Sequence, residues 1–256
     1  MTGSTGMAAS AAQALAAEGG SVFVVSRDPD HARALADELT ASGGRAAWRA
    51  ADLAREDEVE AAVEACASTF GRLDAVYNVA GISGRRFGDG PVHEATLAGW
   101  EIVLAANATS IFLVCRAVIR RMLDQEPDAE GGRGAILNMS SALARHPSPI
   151  HFGTHAYAAS KGAIEAFTRS LAASYAPHGI RINAVAPSLV ATPMSRRAQD
   201  EPAVRTYLEA KQPLAHGPIR TDDVTPTALH LLSADARMIT GQVIDVDGGW
   251  SVSEAG

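Results

Sequence analysis

At 256 residues, with a net charge of −7 and 47% hydrophobic residues, the chain is sized for one α/β domain with a sizeable core. Its Arg and Lys residues are scattered rather than massed in one run, which argues against a footprint for a phosphate backbone and so against a nucleic-acid partner. The most apolar window, "IFLVCRAVI", is interrupted by Arg116 and is short for a bilayer crossing; the N-terminus lacks the basic-then-apolar layout of a signal peptide. The expectation is a cytoplasmic protein with no membrane partner.

The opening stretch, "MTGSTGMAAS", has the form of a phosphate-cradling loop running into a helix. Such a loop normally follows a buried strand, yet only Met1 precedes it here. Further on, the apolar runs "SVFVVS" (21–26), "RAAWRA" (45–50), "LDAVYN" (73–78), "GAILNMS" (134–140), "IRINAVA" (180–186) and "QVIDV" (242–246) read as strands. Between them, residues 30–42, 56–69, 100–123 and 156–176 carry helical periodicity, the third bent near Asn107. This alternation predicts a single domain over residues 1–256, a doubly wound parallel sheet with helices on both faces. "DQEPDAEGGRG" (124–134) and "ARHPSPIHFGTH" (144–155) read as loops, and residues 192–218, with Pro at both ends and charge throughout, as an irregular mobile lid. Cys66 and Cys115 fall in helical patterns and read as small buried thiols.

"YAASK" sets Tyr157 and Lys161 four apart, on one face of a helix, where an ammonium beside a phenol favours the phenolate and lowers the tyrosine pKa. Alone this is a weak pattern. It stands, however, after "TGSTGMA", "ADL" (51–53), "NVAG" (78–81), "NATS" (107–110) and "NMSS" (138–141), and before "INAVAPSLVATPM" and "ITGQVIDVDGG". With these motifs in this order, the sequence resembles the short-chain dehydrogenase/reductase family over nearly its whole length, including its 3-oxoacyl-carrier-protein reductase-like members.

The resemblance implies a Rossmann-like fold, a nicotinamide dinucleotide, and a catalytic tetrad of Asn107, Ser141, Tyr157 and Lys161. Tyr157 exchanges a proton with the substrate oxygen, Ser141 hydrogen-bonds that oxygen, Lys161 binds ribose hydroxyls and Asn107 holds a water in the proton relay. Ser140 is the rival for Ser141, and the family pattern favours the second serine. The implied activity is interconversion of a secondary alcohol and a ketone on a small-molecule substrate; the alternative is a catalytically silent dinucleotide-binding or scaffold protein. The implied cofactor contacts are Gly3, Ser4, Thr5, Gly6 and Met7 in the loop, Ser26 and Arg27 at a strand tip, and Asp52 and Leu53 at the adenine. Asn78, Ala80, Gly81, Tyr157, Lys161, Pro187 and Thr192 complete that set, Thr192 near the nicotinamide amide. A homotetramer or homodimer built on the long helices that contain Asn107 and Tyr157 is implied as well.

The chain departs from the family pattern in places. The glycine loop is one residue short, with Ala8 or Ala9 in place of the last glycine, and resembles the tighter loop of the family's extended branch. The first strand, central in this family, is missing; the expectation is that Met1 is not the natural start, the alternatives being a sheet that closes up or a neighbouring chain that fills the gap. Ser26 offers no carboxylate to a free ribose 2′-hydroxyl, and Arg27 beside it can pair with a 2′-phosphate, so NADP(H) is expected over NAD(H), with Asp28 turned inward as the opposing possibility. Arg85, Arg86, Arg145, Arg196 and Arg197 are placed to converge over the substrate mouth, favouring an anionic or hydroxyl-rich substrate. His93, His146, His151 and His155 match no familiar ligand spacing, and no catalytic metal is expected.

Overall fold

The computed structural model describes residues 1–254. Along the chain, α1 (Met7–Ala17), β1 (Ser21–Ser26), α2 (Pro29–Ala41), β2 (Arg45–Ala50), α3 (Glu56–Phe70) and β3 (Ala75–Asn78) form the first half. They are followed by α4 (Leu97–Leu104), α5 (Ser110–Leu123), β4 (Gly134–Met139), α6 (Pro149–Phe152), α7 (His155–Tyr175) and β5 (Ile180–Pro187). The chain then runs through α8 (Arg196–Asp200), α9 (Pro202–Lys211), α10 (Thr221–Leu232) and β6 (Val243–Val246). All the apolar runs identified as strands form parallel strands, β1 and β2 at the expected bounds.

Period-two alternation sorts the strand side chains onto two faces. Val76, Ile136 and Ile182 pack with Ile111, Val118 and Ile164 from α5 and α7, whereas Tyr77, Leu137 and Val185 pack with Ala11, Val224 and Ala228 from α1 and α10. In β1, Val22 and Val24 meet α2 while Phe23 and Val25 meet Ala62 of α3. Both faces are thus covered, which is why the strands read as continuous apolar runs.

The strands form two hydrogen-bonded groups, β1-β2 and β3-β4-β5-β6. The sheet does not close by direct pairing of β1 with β3. Thr2 lies between them as a single-residue parallel bridge to Val25 on one side and Asn78 on the other. The Thr2 N–H donates to the Tyr77 carbonyl (3.0 Å), the Gly3 N–H to the Val25 carbonyl (2.8 Å), and the Val25 N–H to the Met1 carbonyl (2.9 Å). Behind Met1, a cavity of about 440 Å³ separates the amino-terminal halves of β1 and β3, walled by Val22, Phe23, Val59, Val76, Tyr77 and Val114. The Met1 nitrogen lies there and donates to the Phe23 carbonyl (3.0 Å).

Two sequence expectations are corrected. The 192–218 segment is not irregular: α8 and α9 run through it, because Ala198, Val204 and Leu208 bury against Ala142 and Trp250. Pro202, at the first position of α9, is a helix starter whose missing N–H costs nothing there. The apolar window around Arg116 is part of a much longer element. α4, a π-helical turn at Ala105–Thr109, and α5 make one helical segment, Leu97–Leu123, of 27 residues, long and apolar enough to cross a membrane by those measures alone. In this fold the face with Ile111, Val114, Cys115, Val118 and Met122 is core, and Arg116 and Arg120 pair with Glu56 and Glu60 of α3.

Candidate active site

The loop that opens the chain leaves Thr2 in a tight turn in which Gly3 (φ +92°) and Gly6 (φ +57°) take left-handed conformations. Both positions are also crowded. A Cβ on Gly3 would lie 3.2 Å from the Ala8 Cβ, and one on Gly6 3.1 Å from Thr192 Cγ2. Ala8, buried against the loop, is small enough to let α1 approach it. The α1 N-terminus has no side-chain cap, so its free N–H groups and dipole face an open cavity of about 370 Å³.

That cavity is walled by the loop from Gly3 to Ala8, the β1 tip from Ser26 to Asp28, the turns 51–54 and 79–82, and Thr192–Met194. It brings together Gly3, Ser4, Thr5, Gly6, Met7, Ser26, Arg27, Asp52, Leu53, Ala80, Gly81 and Thr192 from the expected dinucleotide set. A cleft at an uncapped helix N-terminus, bordered by a loop of crowded glycines at positive φ, fits a dinucleotide. Asn78, Tyr157, Lys161 and Pro187 stand outside the lining. Asn78 is buried, its amide donating to Asn138 Oδ1 (2.9 Å), while Asn138 donates to Thr168 of α7 (3.0 Å). Its place is to tie β3, β4 and α7 together beneath the cleft. The 78–81 turn is held instead by Thr2, whose Oγ1 accepts from the Val79 N–H (3.0 Å) and the Ala80 N–H (3.3 Å).

A second cavity, of about 160 Å³, shares Met7, Thr192 and Met194 with the first and is lined by Ser141 and Tyr157. Ser141 follows the tip of β4 and faces this space, whereas Ser140 Oγ donates to the buried Glu165 carboxylate (3.0 Å) and is 1% exposed. Lys161, one helical turn after Tyr157, is buried; its Nζ donates to the Met139 carbonyl (2.7 Å) and lies 5.6 Å from the centroid of the Tyr157 ring. Asn107 sits in the π-helical turn between α4 and α5. Its Oδ1 accepts from the Ile82 N–H (2.8 Å), and its Nδ2 donates to the Ile82 carbonyl (3.1 Å) and to Ser160 Oγ (3.0 Å).

The expectation that Lys161 depresses the Tyr157 pKa is not met in the protein by itself. Burial pushes the Tyr157 phenol above its ordinary value, with the Ser141 hydroxyl pulling it back, and burial also brings the Lys161 ammonium down to about 8. The ammonium lies over the ring and is bonded to a backbone carbonyl, so desolvation dominates both groups.

Three acidic side chains of structural weight gave no sequence signal. Asp89, buried in the turn after "NVAG", accepts from the Ala156 N–H through Oδ1 (3.0 Å) and from the Tyr157 N–H through Oδ2 (2.9 Å). It caps α7 at the residue that carries the phenol. Glu165 and Asp245 hold Arg145 by ion pairs of 3.1 and 2.6 Å, which removes Arg145 from the set of arginines expected at the substrate mouth. Asp28, weighed as an inward-turning carboxylate, caps α2 by accepting from the Asp30 and His31 N–H groups through Oδ1. Arg27 has no ion-pair partner among the described residues.

The family model described as enoyl-(acyl carrier protein) reductase matches residues 2–251. The short-chain reductase protein NovJ of Streptomyces niveus is 37% identical over 254 residues, covering 95% of this chain and 89% of that protein. Among solved structures, a candidate NAD(P)-dependent gluconate 5-dehydrogenase from Beutenbergia cavernae, with NADP bound at low occupancy, superposes with a TM-score of 0.87 at 31% identity, covering 98% and 95% of the two chains. The 3-ketoacyl-(acyl-carrier-protein) reductase of Brucella melitensis, complexed with NADH, superposes with a TM-score of 0.84 at 31% identity, covering 98% and 96%.

Replacing Asp89 tests the cap. Asp89→Ala is expected to destabilise the protein by about 1–2 kcal/mol through loss of two N-terminal hydrogen bonds and a favourable charge on the α7 dipole. The measurements are the thermal midpoint together with kcat, which falls as Tyr157 loses its fixed backbone. An unchanged midpoint would count against the cap.

Proposed function

The chain belongs to the short-chain dehydrogenase/reductase family, and on that premise we propose how its own residues serve the reaction. The protein is an NAD(P)-dependent oxidoreductase that interconverts alcohols and ketones on a small-molecule substrate. The observation that carries the assignment of roles is the placement of Ser141 and Tyr157 in one cavity that opens onto the cleft at the α1 N-terminus.

The chemistry supplied by a bound nicotinamide is hydride transfer to or from the carbinol carbon. Tyr157 is the general acid/base: in oxidation its phenolate takes the hydroxyl proton, and in reduction its phenol gives that proton to the new alkoxide oxygen. Ser141 donates a hydrogen bond to the same substrate oxygen and stabilises the phenolate. Lys161, with a buried ammonium that has a single acceptor among the described residues in Met139, has donors left for ribose hydroxyls and supplies the positive charge that a deprotonated Tyr157 requires. Asn107 fixes the backbone at Ile82 and the start of α7 through Ser160, and its role is positioning.

The pH profile reports these roles. Tyr157 is pushed up by burial, so oxidation is expected to rise with pH along an alkaline limb as the phenolate forms. Ser141 favours the charged form, so Ser141→Ala moves that limb to still higher pH and lowers kcat by about 10²-fold or more, while Tyr157→Phe abolishes turnover. A limb unmoved in Ser141→Ala would remove Ser141 from its assigned place.

NADP(H) is the preferred dinucleotide in this reading, with NAD(H) as the lesser partner. Arg27 is exposed at the β1 tip with no carboxylate partner, Asp28 is spent on its cap, and Ser26 is bonded to Ser4 (3.0 Å). A 2′-phosphate there meets a guanidinium without an ion-pair partner among the described residues, while the neighbouring Asp28 carboxylate is engaged by the α2 N-terminus. Arg27→Ala is expected to lower kcat/KM for NADP(H) by about tenfold or more with little effect on NAD(H); an unchanged ratio of the two cofactors would overturn the assignment.

Self-association as a tetramer or dimer is supported by apolar side chains left exposed on α4 and α5: Leu97, Trp100, Ile102 and Phe112 are each at least 42% exposed. Light scattering at micromolar protein is expected to give a mass above the monomer, and Trp100→Glu to reduce it.

A further inference from the structure

Two of the grouped arginines do reach the substrate cavity, and their surroundings are unlike those of the rest. Arg85 and Arg197 line the space that holds Ser141 and Tyr157, from the turn after β3 and from α8 respectively. Arg86 and Arg196 are not part of its wall, and Arg145 is tied to Glu165 and Asp245. Arg85 is aimed by a hydrogen bond from Nη2 to the His151 carbonyl (2.8 Å), and the His151 ring rests on Tyr207 (4.8 Å between centroids), so the guanidinium is held from α6 and α9.

Neither guanidinium has a carboxylate ion-pair partner among the described residues. The acid nearest in the chain to Arg85 is Asp89, but both its oxygens are engaged by the α7 N-terminus. The Arg85 pKa is lowered, first by burial and then by the charge of Arg197, with Asp89 opposing. Both arginines are exposed to solvent and line the same cavity, so an anion between them accepts charge-assisted hydrogen bonds from two guanidiniums. The remaining wall is apolar, with Leu143, Phe152, Leu189, Val190, Met194 and Trp250, and the volume of about 160 Å³ is close to that of a cavity known to admit benzene, about 150 Å³.

We propose that the substrate is a compact hydroxy or keto acid, with an apolar body of about six carbons in the Leu143–Phe152–Trp250 wall and a carboxylate held between Arg85 and Arg197. This rests on the reading of the same cavity as the place where Tyr157 and Ser141 meet the reacting oxygen.

The test pairs isosteres that differ in charge. Binding of cyclohexanecarboxylate and cyclohexanecarboxamide to the full chain is measured by calorimetry, and kcat/KM is measured for 4-oxocyclohexanecarboxylate and 4-oxocyclohexanecarboxamide. The carboxylate of each pair is expected to be favoured by about tenfold or more, equivalent to about 1.4 kcal/mol. In the Arg85→Gln/Arg197→Gln double variant the preference falls towards one, and Arg197→Lys restores part of it to the Arg197→Gln single variant. Equal binding of acid and amide by the wild type, or a preference unchanged in the double variant, overturns the proposal. Tyr157-dependent reduction of both ketones without preference sinks this inference and leaves the catalytic reading standing. Charge-selective, arginine-dependent binding without any turnover does the reverse.

Discussion

An ammonium sealed inside a protein is among the most expensive groups a fold can carry, and the arrangement of the site follows from how Lys161 is accommodated. Its Nζ reaches Met139 O at the carboxyl end of β4, so the tip of a buried strand and the first turns of α7 are bound to one another through a charge. Burial lowers the pKa to about 8, so the ammonium still predominates at neutral pH but is much less favoured than in water. A group in that condition is stabilised by any anion or hydroxyl that comes beside it. The phenolate of Tyr157 is such an anion, and a ribose offers such hydroxyls. The energetic cost carried in the unliganded protein is therefore relieved by the partners the reaction brings.

The same logic extends outward from α7. Asp89 fixes the backbone of Tyr157, Asn107 fixes Ser160 and the turn at Ile82, and Glu165 draws Ser140 away so that the neighbouring Ser141 alone faces the cavity. The π-helical turn at Ala105–Thr109 has a place in this scheme. Irregular turns of this kind cost helix regularity and tend to occur at functional sites, and this one carries the Asn107 side chain that makes all three bonds.

Much of this was legible in the sequence, for identifiable reasons. The strands were found because strands buried on both faces read as short apolar runs, and Tyr157, Lys161 and the glycine loop were found because their spacing is local. What escaped depends on pairings far apart in the chain. Arg145 reads as a substrate cation until Glu165 and Asp245 are beside it, 20 and 100 positions away. Asp89 reads as a turn residue, and nothing in "FGDGP" announces a cap on a helix 66 residues further on. The α8–α9 segment hides behind Pro and charge because its apolar positions, Ala198, Val204 and Leu208, are few and face a small satellite cluster around Trp250. The α10 helix, with Pro226 inside it, is masked in the same way.

Between β1 and β3 the register at the cleft is held by Thr2. Thr2 supplies one bridge to each strand, and its hydroxyl holds the Val79–Ala80 turn, so the β1 tip, the glycine loop and the "NVAG" turn are fixed by one residue. At the carboxyl ends, where the dinucleotide cleft lies, the two strand groups are therefore tied together. At the amino-terminal ends they are separated by the cavity behind Met1, across which Tyr77 leaves its hydroxyl without a hydrogen-bond partner.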